Sequence, residues 1–533
     1  AAILLDREAT SPVLDADPSY GSMREPIFKV VSLMRSLDYK RTVQDKMIYP
    51  ILDLMKDRVG QMVYDAPDQF SFFDPDYAPP GQFAASSLVS PESELLTDPN
   101  TVGMINGIFS FARHGLSDWD FGFGANNIFP SDYTVNGWGK VSQSSAWGHD
   151  GNKISIGNYD KSVGYLSYID SSPSGEGYIE ELNTLLTAGR LDDSQKEILN
   201  TYYDEILASH NEDVAKRAVL QLIATTPEFH GTTINRKNGQ ARHPSSKPER
   251  LEEPYKAVVY LYLFGGLDSF NILAPYDGGN CGTLWDSYVD VRGSVAMQKT
   301  ELVSIVSSDQ PHCNTFGVHK KMSILKDIYD NNHGIFIANL GHLSKAVTKH
   351  NWRTETNTDL FSHNTMREET FVVDAFDQQA GTGVLGRMLD VLKAKGHAVR
   401  PVAIQDRSVV LDGHPRTGER VSLVPKGGPK LFRNREFLFG DNKQLFRLPM
   451  EDLNADTKLN SGVFGAHWSQ NFIQVWNDTE VLKSILDDQT VTSFGNNAEG
   501  LKQGFETIAK MIASNEERKT NRDVFYILQG GFD

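Results

Sequence analysis

Two stretches share one grammar, VVYLYLFGGLDSF at 258–270 and VFYILQGGFD at 524–533, each an apolar run that enters Gly-Gly-x-Asp. A run of nearly uninterrupted apolar residues predicts a strand covered on both faces, as in a parallel sheet flanked by helices. In such sheets ligands collect where the carboxyl ends of the strands open into a crevice, and glycines there let backbone approach a ligand or ion closely. Asp268 and Asp533 are therefore candidate site residues, their carboxylates placed at strand ends and able to hold a divalent metal ion. A second reading also stands, in which Asp268 or Ser269 caps a turn and the glycines serve close packing.

Around these strands, residues after about 255 alternate between strand and helix patterns. Strands are expected at 257–264, 335–339, 401–404 and 524–529, with helices at 319–330, 383–394 and 501–514. This alternation predicts a mainly parallel, doubly wound sheet. The residues before about 230 read as helices at 24–37, 44–57, 99–114, 178–188, 192–208 and 211–226. In the first of them Ile27, Val30, Val31, Met34 and Leu37 recur at helical spacing and predict one packed face. Residues 115–177 are rich in Gly, Asn, Ser, Asp and Trp and read as a loop-rich insertion. The polar, proline-containing stretch 235–254 reads as a linker. The fold class expected is thus an α+β multidomain chain: a mostly helical domain over 1–234, then a doubly wound α/β domain over 255–533.

Composition limits the function classes. With 52 basic and 69 acidic residues the formal charge is −17, and no basic stripe interleaved with aromatics occurs, which argues against a nucleic-acid partner. No apolar run reaches the roughly 18–20 residues that a membrane helix needs. The opening AAILLDREA reads as the middle of a helix, so that a longer polypeptide is expected. Cys281 and Cys313 can form one disulfide in an oxidising compartment or remain two buried thiols, and both readings stay open. Asn477-Asp478-Thr479 is a glycosylation sequon.

The segment from Phe361 to Glu369 gathers Ser362, His363, Asn364 and Arg367, a mix that suits a nucleophile or ligand constellation or a surface loop leading into a helix. The remaining histidines, among them His312, His319, His342, His397 and His467, lack metal-ligand spacing and read as structural. The aromatic and proline-rich run from Tyr64 to Gly81 reads as a rigid cover over helices or, alternatively, an aromatic carbohydrate or peptide groove.

These pieces resemble two families. AAILLDREA (1–9), REPIFKVVSLMRSL (24–37), GQMVYDAPDQFSFFDPDYAPPG (60–81), SPESELLT (90–97) and RAVLQLIATTPEFH (217–230) resemble the C-terminal part of the domain-of-unknown-function family 1800. LFGGLDSFNILAPY (263–276), HKKMSILKDIYDNNHGIFIANLG (319–341), FSHNTMREETF (361–371), GVLGRMLDVL (383–392) and QGGFD (529–533) resemble the N-terminal part of the domain-of-unknown-function family 1501, of the alkaline phosphatase and sulfatase superfamily. That resemblance implies divalent metals at strand ends and ester cleavage by a Ser or Thr nucleophile. Asp268 would be the first-strand metal ligand, Asp533 the aspartate of a Gly-Gly-x-Asp-Thr-His segment, and Ser362, beside His363, the conceivable nucleophile. Phe264 stands where the family commonly has arginine. The remaining ligand segments are expected beyond residue 533 or on a partner chain that completes the domain. Two functions follow as expectations: a secreted or cell-surface protein that keeps the scaffold for assembly or binding, and a metal-dependent phosphate or sulfate ester hydrolase.

Overall fold

The structure, a computed structural model, describes most of the chain. Outside it lie residues 1–16, 42–54, 67–70, 80–81, most of 118–161, 244–248, 277–280, 308–312, 357–359, 374–381, 415–416, 433–442, 492–498, 532–533 and a few single positions. The helix expected at 44–57 therefore falls mainly outside the described residues, as does most of the 115–177 insertion. Contacts divide the chain into two compact units, one of residues 1–260 with 380–527 and one of 261–379 with 528–533.

The first unit opens with helix α1 (Pro26–Ser36), which buries Pro26, Lys29, Val30 and Leu33. Val31, expected on the packed face, is 42% exposed, so the stripe lies one residue round from the expected one. Helix α2 (Asp98–His114) carries Gly103 at a point where a Cβ would overlap the backbone of Arg58. Helices α3 (Gly175–Thr187), α4 (Asp193–Ser209) and α5 (Glu212–Ile223) follow. A capping box starts α4, with Asp192 Oδ1 accepting from the Gln195 amide at 2.9 Å and Gln195 Oε1 accepting from the Asp192 amide at 3.0 Å. On α5, Arg217 is buried and donates to both Asp213 oxygens, at 2.9 and 2.8 Å, and to Ala112 O at 2.7 Å.

Residues 235–243, expected as linker, are instead held along 454–461. Asn235 is buried, the Asn238 amide donates to Asp456 O at 2.8 Å, and Lys237 bridges Thr457 antiparallel. Polar composition was a poor guide here because backbone and side-chain hydrogen bonds, rather than apolar contacts, fix the stretch. After a small antiparallel sheet of Tyr39–Arg41, Leu116–Ser117 and Ser162–Leu166, strand β1 (Lys256–Leu263) follows.

The second unit is built on a three-stranded antiparallel sheet, with β2 (Leu273–Pro275), β3 (Leu302–Val306) and β4 (Thr315–His319) in the order β3-β4-β2. Helix α6 (Gly282–Arg292) covers it, and Ala274, Trp285, Tyr288 and Leu302 form a small core. The helix expected at 319–330 is a 3-10 turn followed by α7 (Ile324–Asp330). No strand forms among the described residues of 335–339, where Ile335 and Ile337 are 81% and 72% exposed. Helix α8 (His363–Val372) closes the unit's first segment.

The chain then returns to the first unit with α9 (Val384–Ala394), β5 (Val399–Ile404), β6 (Ser422–Val424), α10 (Lys443–Leu453), α11 (Val463–Asp488), α12 (Glu499–Ala513) and β7 (Arg522–Gln529). Helices α10 and α11 join the core of the N-terminal helices. Phe446 meets Phe109 and Tyr202 at ring distances of 5.8 and 5.5 Å, and His230 stacks on Trp468 at 3.3 Å. Asn477, the sequon residue, lies inside α11 with its amide donating to Ile473 O at 2.8 Å and its carbonyl accepting from Arg447 at 3.1 Å. That placement leaves no open acceptor amide for a glycan in the folded chain.

A four-stranded sheet has the order β6-β5-β7-β1. Strand β5 runs parallel to β6 and to β7. Strand β1 pairs in the same sense, since the Lys256 amide donates to Asn521 O and the Phe264 amide to Gln529 O. The expected parallel sheet is thus present in a mixed α and β protein. On β7 every residue from Asp523 to Ile527 is buried, whereas β1 lies at the sheet edge.

Candidate functional site

The two Gly-Gly strand ends are neighbours. The Phe264 amide donates to Gln529 O at 2.8 Å, so Gly265-Gly266 and Gly530-Gly531 leave the sheet side by side. Gly265 and Gly531 take φ of 109° and 89°, left-handed values that glycine adopts without steric cost. Asp533 lies outside the described residues.

Beyond Gly266 the chain turns into a 3-10 turn, Ser269–Asn271, that α6 holds in place. Tyr288 donates to Asn271 Oδ1 at 2.6 Å and accepts from the Met297 amide at 2.8 Å, while Asn271 Nδ2 donates to Val295 O at 3.1 Å. At the end of the same helix, Arg292 donates from Nη2 to Asp268 Oδ2 and spreads over the Phe270 ring at 5.6 Å. The Asp268 side chain is 38% exposed and caps nothing. Its charge is matched by an arginine rather than left open to an ion.

Helix α8 approaches the same strand end. Arg367 lies 5.6 Å over the Phe264 ring, and Phe371 meets Tyr262 edge-on at 4.8 Å. Burial raises the Tyr262 phenol, an effect partly offset by Arg367. Ser362 is the N-cap of α8, accepting from the Thr365 amide at 3.5 Å and the Thr365 hydroxyl at 3.0 Å. That hydroxyl serves the helix end. His363 is the first residue of α8, and its side chain lies outside the described atoms.

A divalent ion needs several converging ligands, normally carboxylate or imidazole. Among the described residues no group of three His, Cys, Asp or Glu side chains converges in this way. Asp268 is held by Arg292, and Asp533, the other expected ligand, lies outside the described residues. Cys281 and Cys313, left open by the sequence, are joined as a disulfide that ties the start of α6 to the residues before β4. Sequence reading did not single out Arg292 as a site residue, because its partner lies 24 positions away and only α6 brings it back. Arg367 was within the quoted cluster, but its contact with Phe264 had no sequence signal.

Comparison of the chain with protein-family models, with curated proteins and with solved structures finds no match.

Proposed function

We propose that the protein is a secreted or cell-surface protein with an assembly or binding role, built on an alkaline-phosphatase-like α/β scaffold whose sheet is extended at β1. The observation that carries this reading is the edge strand itself. Val258, Val259 and Leu261 are 41%, 39% and 38% exposed on a strand that is apolar on both faces. A long apolar edge presents unpaired backbone groups and uncovered side chains, and natural proteins cover such edges or use them for strand addition. The Cys281–Cys313 disulfide supports an oxidising compartment. The Arg292–Asp268 pair favours a scaffold role for the strand end over ester hydrolysis. No helix among the described residues is long and apolar enough to cross a membrane.

Sedimentation of the wild type against Val259→Lys tests the reading. Wild type is expected to self-associate at micromolar concentration, and the variant to sediment as a monomer with unchanged circular dichroism. A wild type that stays monomeric at millimolar concentration would sink the assembly role. Turnover of an aryl phosphate or sulfate that is lost in Asp268→Asn would establish the hydrolase instead.

A further inference from the structure

Within the first unit, a cavity of about 440 Å³ lies between β5, β6, α11 and the end of α12. That size falls within the roughly 300–1,000 Å³ typical of small-molecule sites. Val402, Leu482, Ile485 and Met511 supply an apolar wall. Arg400 on β5, Lys430, Arg518 after α12 and Lys519 supply positive charge against the carboxylates of Asp98, Asp478 and Glu517.

Arg400 is unlike the other inward arginines of the unit. Arg217 is saturated by Asp213 and Ala112 O, and Arg407 by Glu94 and Asp412. Among the described residues the Arg400 guanidinium donates no hydrogen bond. It is opposed chiefly by the charge of Asp478, with Asp523 and Glu419 behind it and Arg518 adding like charge. Arg518, only 4% exposed, gives Nη2 to Asp523 and Nε to Met511 O at 3.1 Å, yet its Nη1 is buried without a partner. A buried donor left unpaired costs ~1–3 kcal/mol, more when charged, so Arg518 Nη1 is poised for an acceptor that the chain does not supply, and the half-buried Arg400 turns its donors to the same cavity.

We propose that this cavity binds an amphipathic carboxylate. The apolar body lies against Val402, Leu482, Ile485 and Met511, and the carboxylate takes the planar fork of Arg400, a geometry that guanidinium and carboxylate share. The site is independent of the strand-edge reading, since β1 contributes nothing to it.

Calorimetric titration of the whole chain with decanoate and with naphthoate tests the proposal, decanol serving as the uncharged control. At least one carboxylate is expected to bind, decanol at least tenfold more weakly, and Arg400→Gln to weaken carboxylate binding at least tenfold with an unchanged melting temperature. If Arg400→Gln does not fold, Val481→Glu takes its place. Val481 lines the cavity and is 51% exposed, so a carboxylate there is tolerated by the fold and is expected to weaken binding at least tenfold by repulsion. Failure of both carboxylates to bind at millimolar concentration overturns the proposal. Equal binding of decanol, or unchanged affinity in the folded variant, also overturns it.

Discussion

Arg292, the last residue of α6, donates a hydrogen bond to Asp268 at the end of the first Gly-Gly strand, across 24 positions of chain. Phe264 stands before Gly265, and guanidinium groups reach this strand end from α6 and from α8. With side chains 24% and 38% exposed, the pair is partly screened by water. A double-mutant cycle of Asp268→Ala and Arg292→Ala is expected to give a coupling of about 0.5–1 kcal/mol. Chelator treatment is expected to leave the melting temperature unchanged, and a drop on chelation would contradict the scaffold reading of Asp268.

Reduction should loosen the second unit selectively. The disulfide spans 32 positions around a core of a few aromatic and aliphatic side chains. Its loss in Cys281→Ser is expected to cost about 2–4 kcal/mol. Trp285 lies in that core, so its fluorescence should shift at lower denaturant in the variant while far-ultraviolet dichroism of the larger helical unit holds.

Gly386 on α9 faces the backbone of Asp412, where a Cβ would overlap the Asp412 carbonyl, and Gly383 does the same against Val409 and Val410. Gly386→Ala is expected to destabilise by about 2–3 kcal/mol through overpacking. Gly282→Ala, which meets nothing within 4 Å, is the control and should cost little. Equal denaturation midpoints for the two variants would count against the close helix approach.

Acid should weaken the first unit before it protonates many carboxylates. Burial, with Arg420 adding to it, lowers His467 from its ordinary 6.5 to about 4. As pH falls through 6.5 the unfolded chain takes up that proton first, so stability is lost between pH 6.5 and 4 and levels off below. His230, buried and stacked on Trp468, is lowered well below 6.5 for the same reason, with Lys29 adding to it. The His467 contribution is about 3 kcal/mol across the window. His467→Phe keeps the ring against Phe83, which lies 5.2 Å away, and should flatten the fall in melting temperature between pH 6.5 and 4.

Much of the secondary structure was legible. Helices α3, α4, α5, α9 and α12 and strands β1, β5 and β7 lie within a few residues of their expected bounds, because apolar periodicity and caps such as Asp192 are local signals. The 26-residue α11 was missed. It carries buried residues such as Phe464, Trp468, Phe472 and Trp476 together with buried Ser469, Asn471 and Thr479, so its stripe is broken by polar positions. Those polar groups are satisfied only in the fold, Ser469 by Asn454 at 2.9 Å and Asn471 by Thr101 at 3.1 Å.

The sequence by itself determined the two apolar strands, their parallel setting and the glycines that end them, because strand burial on both faces and positive φ are written in local composition. Only the tertiary structure decided that the two strand ends lie side by side, that Asp268 faces an arginine, and that α10 and α11 pack with the N-terminal helices. Those are pairings between residues tens to hundreds of positions apart. Their free energy comes from desolvation and charge compensation at contacts that exist only once the chain has closed on itself.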